Sequence, residues 1–418
     1  MRTKAVLKQA TRYSAIALCL YSLAACVTTG DKVESNEQAD LASFKGFEPV
    51  TADTKDVKRR TLASAWGKDT LVPYSRMALN SEFAGVAISD PQYFSWCTSP
   101  LEVDGKIHLF NCRWPATPEG MAPWKTHSEM VHYVGDSPEG PFKFVGKVLT
   151  NDDLKDTGYI SPHNVRLERV DDKFVVLYVC RPKGPDENTP SASYKQRVGM
   201  LIADKIEGPW RQVGVVVHPS ETPGTATYKS KRGTCNPAFI KVGDKYHIYF
   251  KYIDASAPKG SYAVATSDHL EGPYTVIQRC MDNVTWVEDA QGFEWNGKYY
   301  LLTDDNHGHN GGIFGAQMLW KSDDGLFFKR EDAVISTGTI FDYWKHSKEE
   351  KKELMAKEPF TRHPTGKFER PAFLFQNGKP TYFYAVGDVN INGGKTPEVY
   401  VVKIKDSASP ESNNSPEK

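Results

Sequence analysis

Val287-Glu288-Asp289-Ala290-Gln291-Gly292-Phe293-Glu294-Trp295-Asn296-Gly297-Lys298-Tyr299-Tyr300-Leu301-Leu302 is the stretch on which the fold turns. Two adjacent carboxylates open it, and Asn296-Gly297 divides it into two β-prone runs. A type I′ turn needs positive φ at both central residues, so Asn-Gly between such runs predicts a hairpin. The carboxylates then sit at the head of one strand. The phrase recurs: Ser99-Pro100 leads to Asp104-Gly105-Lys106, His163-Asn164 to Asp171-Asp172-Lys173, Asn236-Pro237 to Gly243-Asp244-Lys245, and Glu369-Arg370-Pro371 to Asn377-Gly378-Lys379. An aromatic or aliphatic run follows each turn. These are five copies of one supersecondary unit, separated by loops of unequal length.

A second repeat interleaves with the first. Glu139-Gly140-Pro141-Phe142, Glu207-Gly208-Pro209-Trp210 and Glu271-Gly272-Pro273-Tyr274 share one pattern, and Gly-Pro favours a turn. Each unit reads as strand, turn, strand, long loop, strand, Gly-Pro turn, strand. A four-stranded blade cannot bury its faces alone, so such blades stack radially. The expected fold is all-β: a five-bladed β-propeller with four-stranded blades. The first blade is expected to begin after Ala84. The Lys- and Glu-rich stretch from Tyr343 to Lys357 reads as a surface helix inserted before blade five.

Outside the repeats the chain divides simply. Arg2, Lys4 and Lys8, the apolar run from Ala15 to Leu20, and Leu23-Ala24-Ala25-Cys26 have the layout of a secretory leader. The end of that leader resembles a bacterial lipobox. The resemblance implies acylation of Cys26 and, with Val27 rather than Asp following, a place at the outer membrane, facing the periplasm or the surface. Residues 1–26 are therefore read as leader, 27–60 as a flexible tether, 61–406 as the propeller and 407–418 as a disordered tail. The apolar run is too short to span a bilayer, so the membrane is met only through the N-terminal lipid.

The 418 residues carry a formal net charge of zero, so bulk electrostatics favours neither nucleic acid nor an acidic polymer. Aromatic residues make up 12% of the chain, and strand packing accounts for most of them. Cys97, Cys112, Cys180, Cys235 and Cys280 lie outside the leader. None has Cys-x-x-Cys spacing, so they read as buried strand residues and no metal site is assigned. His307 and His309 read as part of a Gly-rich solvated loop.

The strand heads converge at one end of a propeller's channel and bring polar groups together. Glycoside hydrolysis needs two carboxyl groups across the scissile bond. Glu288, Asp289 and Glu369 are candidates, and Arg370 could hold a carboxylate ionised or bind an anionic substrate group. Trp96, Ser99, Arg113, His163, Asn164 and Asn236 are the candidate substrate contacts.

The fivefold phrase, its Gly-Pro-aromatic turns, Arg197-Val198-Gly199 and Ser322-Asp323-Asp324-Gly325 resemble glycoside hydrolase family 43 and its five-bladed relatives, including families 32, 68 and 117. The resemblance covers roughly residues 85 to 404. It implies an exo-acting, inverting hydrolase of plant or algal oligosaccharides, working as a monomer or small homo-oligomer. It implies no required cofactor and allows a structural calcium in the channel. Members of these families place an Asp before Pro at the head of blade one. This chain has Ser99-Pro100, so either Asp90-Pro91 supplies that carboxylate, or the mechanism is rearranged, or activity is lost and the protein binds glycans without cleaving them. An interaction scaffold is the third reading open to this fold.

Overall fold

The computed structural model describes residues 44–50, 72–184, 195–217, 233–252, 261–281, 284, 286–356 and 365–405. The leader, Cys26 and the tail lie outside them. The described chain is a five-bladed β-propeller. Blade one is Tyr93–Val103, Lys106–Pro115, Glu129–Gly135 and Lys143–Leu149. Blade two is Tyr159–Val170, Lys173–Pro182, Arg197–Ala203 and Arg211–Val217. Blade three is Cys235–Val242, Lys245–Tyr252, Ser261–Ser267 and Thr275–Arg279. Blade four is Val287–Trp295, Lys298–Asp305, Gln317–Ser322 and Val334–Thr337. Within each blade all neighbouring strands are antiparallel.

Blade five is completed by the other end of the chain. Phe368–Gln376, Lys379–Gly387 and Val399–Ile404 are joined by Ser81–Ile88, which pairs with Val399–Ile404. The expected start of blade one at Ala84 therefore falls inside blade five's outer strand, and blade one begins at Tyr93. This pairing fastens the two ends of the fold together without leaving an open seam.

The predicted turns form where positive φ is available. Asn296 and Gly297 have φ of 49° and 68°, Asp104 and Gly105 of 51° and 72°, and Asn377 and Gly378 of 50° and 73°. The three Gly-Pro bonds are cis and join the third and fourth strands of blades one to three. Both faces of the blades are buried along their inner strands, with apolar side chains interlocking between neighbours.

Two segments depart from expectation. Phe44–Val50 falls in the stretch read as tether, yet Phe44 and Phe47 are buried against Trp295, and Phe47 also meets Phe293, Tyr300 and Phe373. Their apolar area repays the ordering of the short segment that carries them. Pro49–Val50 pairs with Tyr74–Ser75, which extends blade four outward. The insertion before blade five holds two short helices, Ile340–Tyr343 and Lys348–Ala356, rather than one running on from Tyr343. Ser347 and Glu350 exchange capping hydrogen bonds, which starts the second helix five residues past Tyr343, and Leu354 is its buried anchor.

Candidate active site

Each innermost strand carries a β-bulge near its head, and one residue of each bulge has positive φ: Cys97 (59°), Asn164 (55°), Asn236 (51°), Asp289 (60°) and Arg370 (59°). The bulge turns these five side chains toward the channel axis. They form a chain of contacts around it. Cys97 Sγ donates to Asn164 Oδ1 (3.1 Å) and Asn164 Nδ2 to Asn236 Oδ1 (3.3 Å). Asn236 Nδ2 and Arg370 Nη1 both donate to Asp289 Oδ1. Asp289, 2% exposed, is the anion on which this floor closes.

The residues just before the floor are Trp96, His163, Cys235, Glu288 and Glu369, and all five line a cavity of about 330 Å³ above it. Blade one adds Trp114, Met121 and Trp124. Blade two adds Gln196, and blade three adds Gly233, Lys251 and Tyr252. Trp286 closes the side at blade four. The walls are therefore aromatic and the base polar and charged. His163 donates from Nδ1 to Ser161 O (2.6 Å) and accepts at Nε2 from Gln196 (2.9 Å), the pattern of a neutral imidazole. Burial pushes its pKa down to about 3.

Two carboxylates reach the cavity, from neighbouring blades. Glu288 is ion-paired with Lys251, and Glu369 with Lys367. Burial works against the charge of Glu288, but Lys251, Arg370 and Asn306 outweigh it and hold the carboxyl below its usual value. Lys367 is shared by Glu369, Asp304 and Asp388; burial raises Asp388 to about 6 and Asp304 well above the carboxylate range. Charge is thus favoured at Glu288 and opposed by burial at Asp304 and Asp388.

The structure thus brings Trp96, His163, Asn164, Asn236, Glu288, Glu369 and Arg370 together at one cavity. It places Asp289 beneath them rather than among them. It does not bring Asp90, Ser99 or Arg113 there. Asp90 Oδ1 accepts from Gln92 N (2.8 Å) in the turn before blade one. Ser99 Oγ accepts from Leu167 N (2.9 Å) and clips blade one to blade two. Arg113 pairs with Glu129 (3.0 Å) and lies over Tyr93. The position equivalent to Asn236 in blade one is Cys97, two residues before Ser99. Sequence reasoning missed Lys251, Lys367, Gln196, Trp124 and Trp286. Lys251 had one legible sign, a Lys at the end of an otherwise aromatic strand. His307 belongs near the site as well, edge-on to Trp286 at 5.1 Å.

The channel does not suit a calcium ion, which takes six to eight oxygens. The guanidinium of Arg166 lies beneath the floor, donating to Ala290 O (2.7 Å) and Asp289 O. The carboxylate of Asp289 is already neutralised by Arg370. Among the described residues no group of three or more His, Cys, Asp or Glu could hold a metal.

No protein-family model matches the chain, and no curated protein matches it in sequence. Solved structures do match. Zg3597, a family 117 glycoside hydrolase produced by the marine bacterium Zobellia galactanivorans, is 16% identical, with 78% of this chain and 91% of that one covered and a TM-score of 0.54. A structure described as a glycoside hydrolase is 11% identical over 81% of this chain and 95% of its own, with a TM-score of 0.52. CoXyl43, a family 43 β-xylosidase/α-arabinofuranosidase from a compost microbial metagenome, is 15% identical over 77% and 94%, with a TM-score of 0.49. At these identities the likeness to the first two establishes the five-bladed fold.

Proposed function

We propose that this protein is an exo-acting glycoside hydrolase whose cavity holds the terminal sugar of an oligosaccharide. The observation that carries the reading is the meeting of Glu288 and Glu369, from adjacent blades, in one Trp-walled cavity. Aromatic faces pack against the C–H faces of sugar rings, and the polar base addresses their hydroxyls. A volume of about 330 Å³ matches a terminal unit better than a long chain segment. The name of a solved structure with the same fold, a family 117 glycoside hydrolase, supports the same class.

Glu288, kept ionised by Lys251, is the base that takes a proton from water. Glu369, the other carboxyl that reaches the cavity, takes the acid's part, passing a proton to the leaving oxygen once a bound sugar displaces its ion pair with Lys367. The water oxygen then bonds to the anomeric carbon as the glycosidic bond breaks, with inversion. Asp289 does not meet the sugar; it fixes Arg370 and Asn236 at the floor. Plant and algal oligosaccharides are the proposed substrates. The leader supports export and attachment through acylated Cys26 at the outer membrane. Incubation with such oligosaccharides, with released monosaccharide and its initial anomer read by NMR, tests the reading. Monosaccharide of inverted configuration supports it. Thermal stabilisation by a glycan that is never cleaved would instead favour a glycan-binding lipoprotein.

A further inference from the structure

Blade four carries a buried polar row that leads away from the cavity. Glu288 pairs in register with Asp304, Asp304 with Gln317, and Gln317 with Thr337. Directly paired residues point to the same face of a sheet. This row faces blade five, because Gln317 Nε2 donates to Phe368 O (2.7 Å). Asp304 is 1% exposed, yet neither carboxyl oxygen has a hydrogen-bond partner among the described residues. Gln317 Oε1 and Thr337 Oγ1 lack partners too. An ionised carboxylate left in this way would be one of the costliest groups a protein interior can hold.

We propose that Asp304 is a positioning residue for the two cavity carboxylates, standing behind them as an uncharged acid and never touching substrate. Its catalytic consequence rests on the hydrolase reading above; its protonation does not. The charged and titratable groups that face it are Glu288 on the inner strand, Lys251 and Tyr262 on blade three, and Lys367 and Glu369 on blade five. Glu288 and Glu369 already match the two lysines. A third negative charge would leave them in excess, and burial acts in the same direction. The protonated form also supplies a donor opposite Gln317 Oε1, which has none. With Asp304 neutral, Lys251 stays with Glu288 and Lys367 with Glu369. With Asp304 ionised, it competes for both lysines and pulls the pair out of place.

Asp304→Asn keeps the shape and the neutral charge, whereas Asp304→Leu removes the polar group. The proposal expects the Asn variant to keep kcat and KM within about threefold of the parent. It expects the Leu variant to lose about tenfold or more in kcat with little change in KM, the range of one well-placed polar interaction. An Asn variant as damaged as the Leu variant would overturn it, because a working carboxylate would then be required. The protonation is read separately, on the resting protein. At pH 7 the parent minus Asp304→Asn infrared difference spectrum should show a protonated-carboxyl band, over and above the one both proteins share from Glu168, which burial raises to about 8. In urea, the parent should lose stability relative to Asp304→Asn as pH rises above the unfolded value of about 3.9, since a raised folded pKa stabilises only below it. Asp305 and Asp388, raised to about 6, are common to both proteins and cancel in the difference. A missing band, or a difference of opposite sign, would overturn the uncharged acid even if hydrolysis is found. A parent inert on every sugar would sink the hydrolase reading and the positioning role together, while the band and the urea series still decide the state of Asp304.

Discussion

At the scale of single residues the site is a matter of charge pairing. Lys251 and Glu288 are both largely buried, and each is tolerable only because of the other. Lys251→Met is expected to cost about 3 kcal/mol, the usual penalty for stranding one partner of a buried pair. Urea denaturation at pH 7 checks it. The sign with pH follows from the lowered value of Glu288. Its contribution is present above the unfolded pKa of about 4.3 and lost as pH falls through the folded value. The parent's advantage over Lys251→Met should therefore shrink toward pH 3; an advantage unchanged there would count against the pairing. The two carboxylates were legible in the sequence because they head repeated phrases. Their lysines were not, because the Lys251 pair is made between blades and nothing in local spacing marks the Lys367 pair. Lys251 lies on the blade before Glu288, and Lys367 reads locally only as a Lys two residues ahead of Glu369.

At the scale of the strand, hairpins were legible and bulges were not. Asn296-Gly297 and Asn377-Gly378 announce themselves because few residue pairs accept positive φ twice in succession. The bulge residues are Cys, Asn, Asn, Asp and Arg, and only the Asn and Asp belong to types enriched at positive φ. Proline misled the alignment of blade one. Pro237 and Pro371 directly follow their bulge residues, whereas Pro100 stands three residues past Cys97, so alignment by proline points to Ser99 instead of Cys97 as the head. Asn236→Ala should cost about 2 kcal/mol, combining a strained left-handed Ala with lost floor hydrogen bonds. Asn236→Gly removes the strain and should cost less. Thermal melts of the two variants test the order, and equal losses would mean that backbone strain contributes nothing at this bulge.

At the scale of the whole molecule the number of blades was legible and the closure was not. The repeated phrase marks inner strands, so it counts blades. The closing strand Ser81–Ile88 is an outer strand without the phrase, and most of its residues are half-buried. Deleting Ser81–Ile88 leaves Val399–Ile404 as a bare edge and should abolish cooperative unfolding, seen as the loss of a sharp calorimetric transition. Phe47→Ala should cost about 3 kcal/mol by emptying the aromatic cluster between blades four and five. Both ends of the chain thus serve the ring that holds Glu288 and Glu369 in place. The measurement that bears most directly on the account is kcat/KM of Glu288→Gln and Glu369→Gln on a sugar the parent cleaves, with their melting compared alongside. The account predicts losses of about a hundredfold or more in each, the range of general acid–base catalysis, with the fold intact. Turnover equal to the parent's in either variant would contradict it.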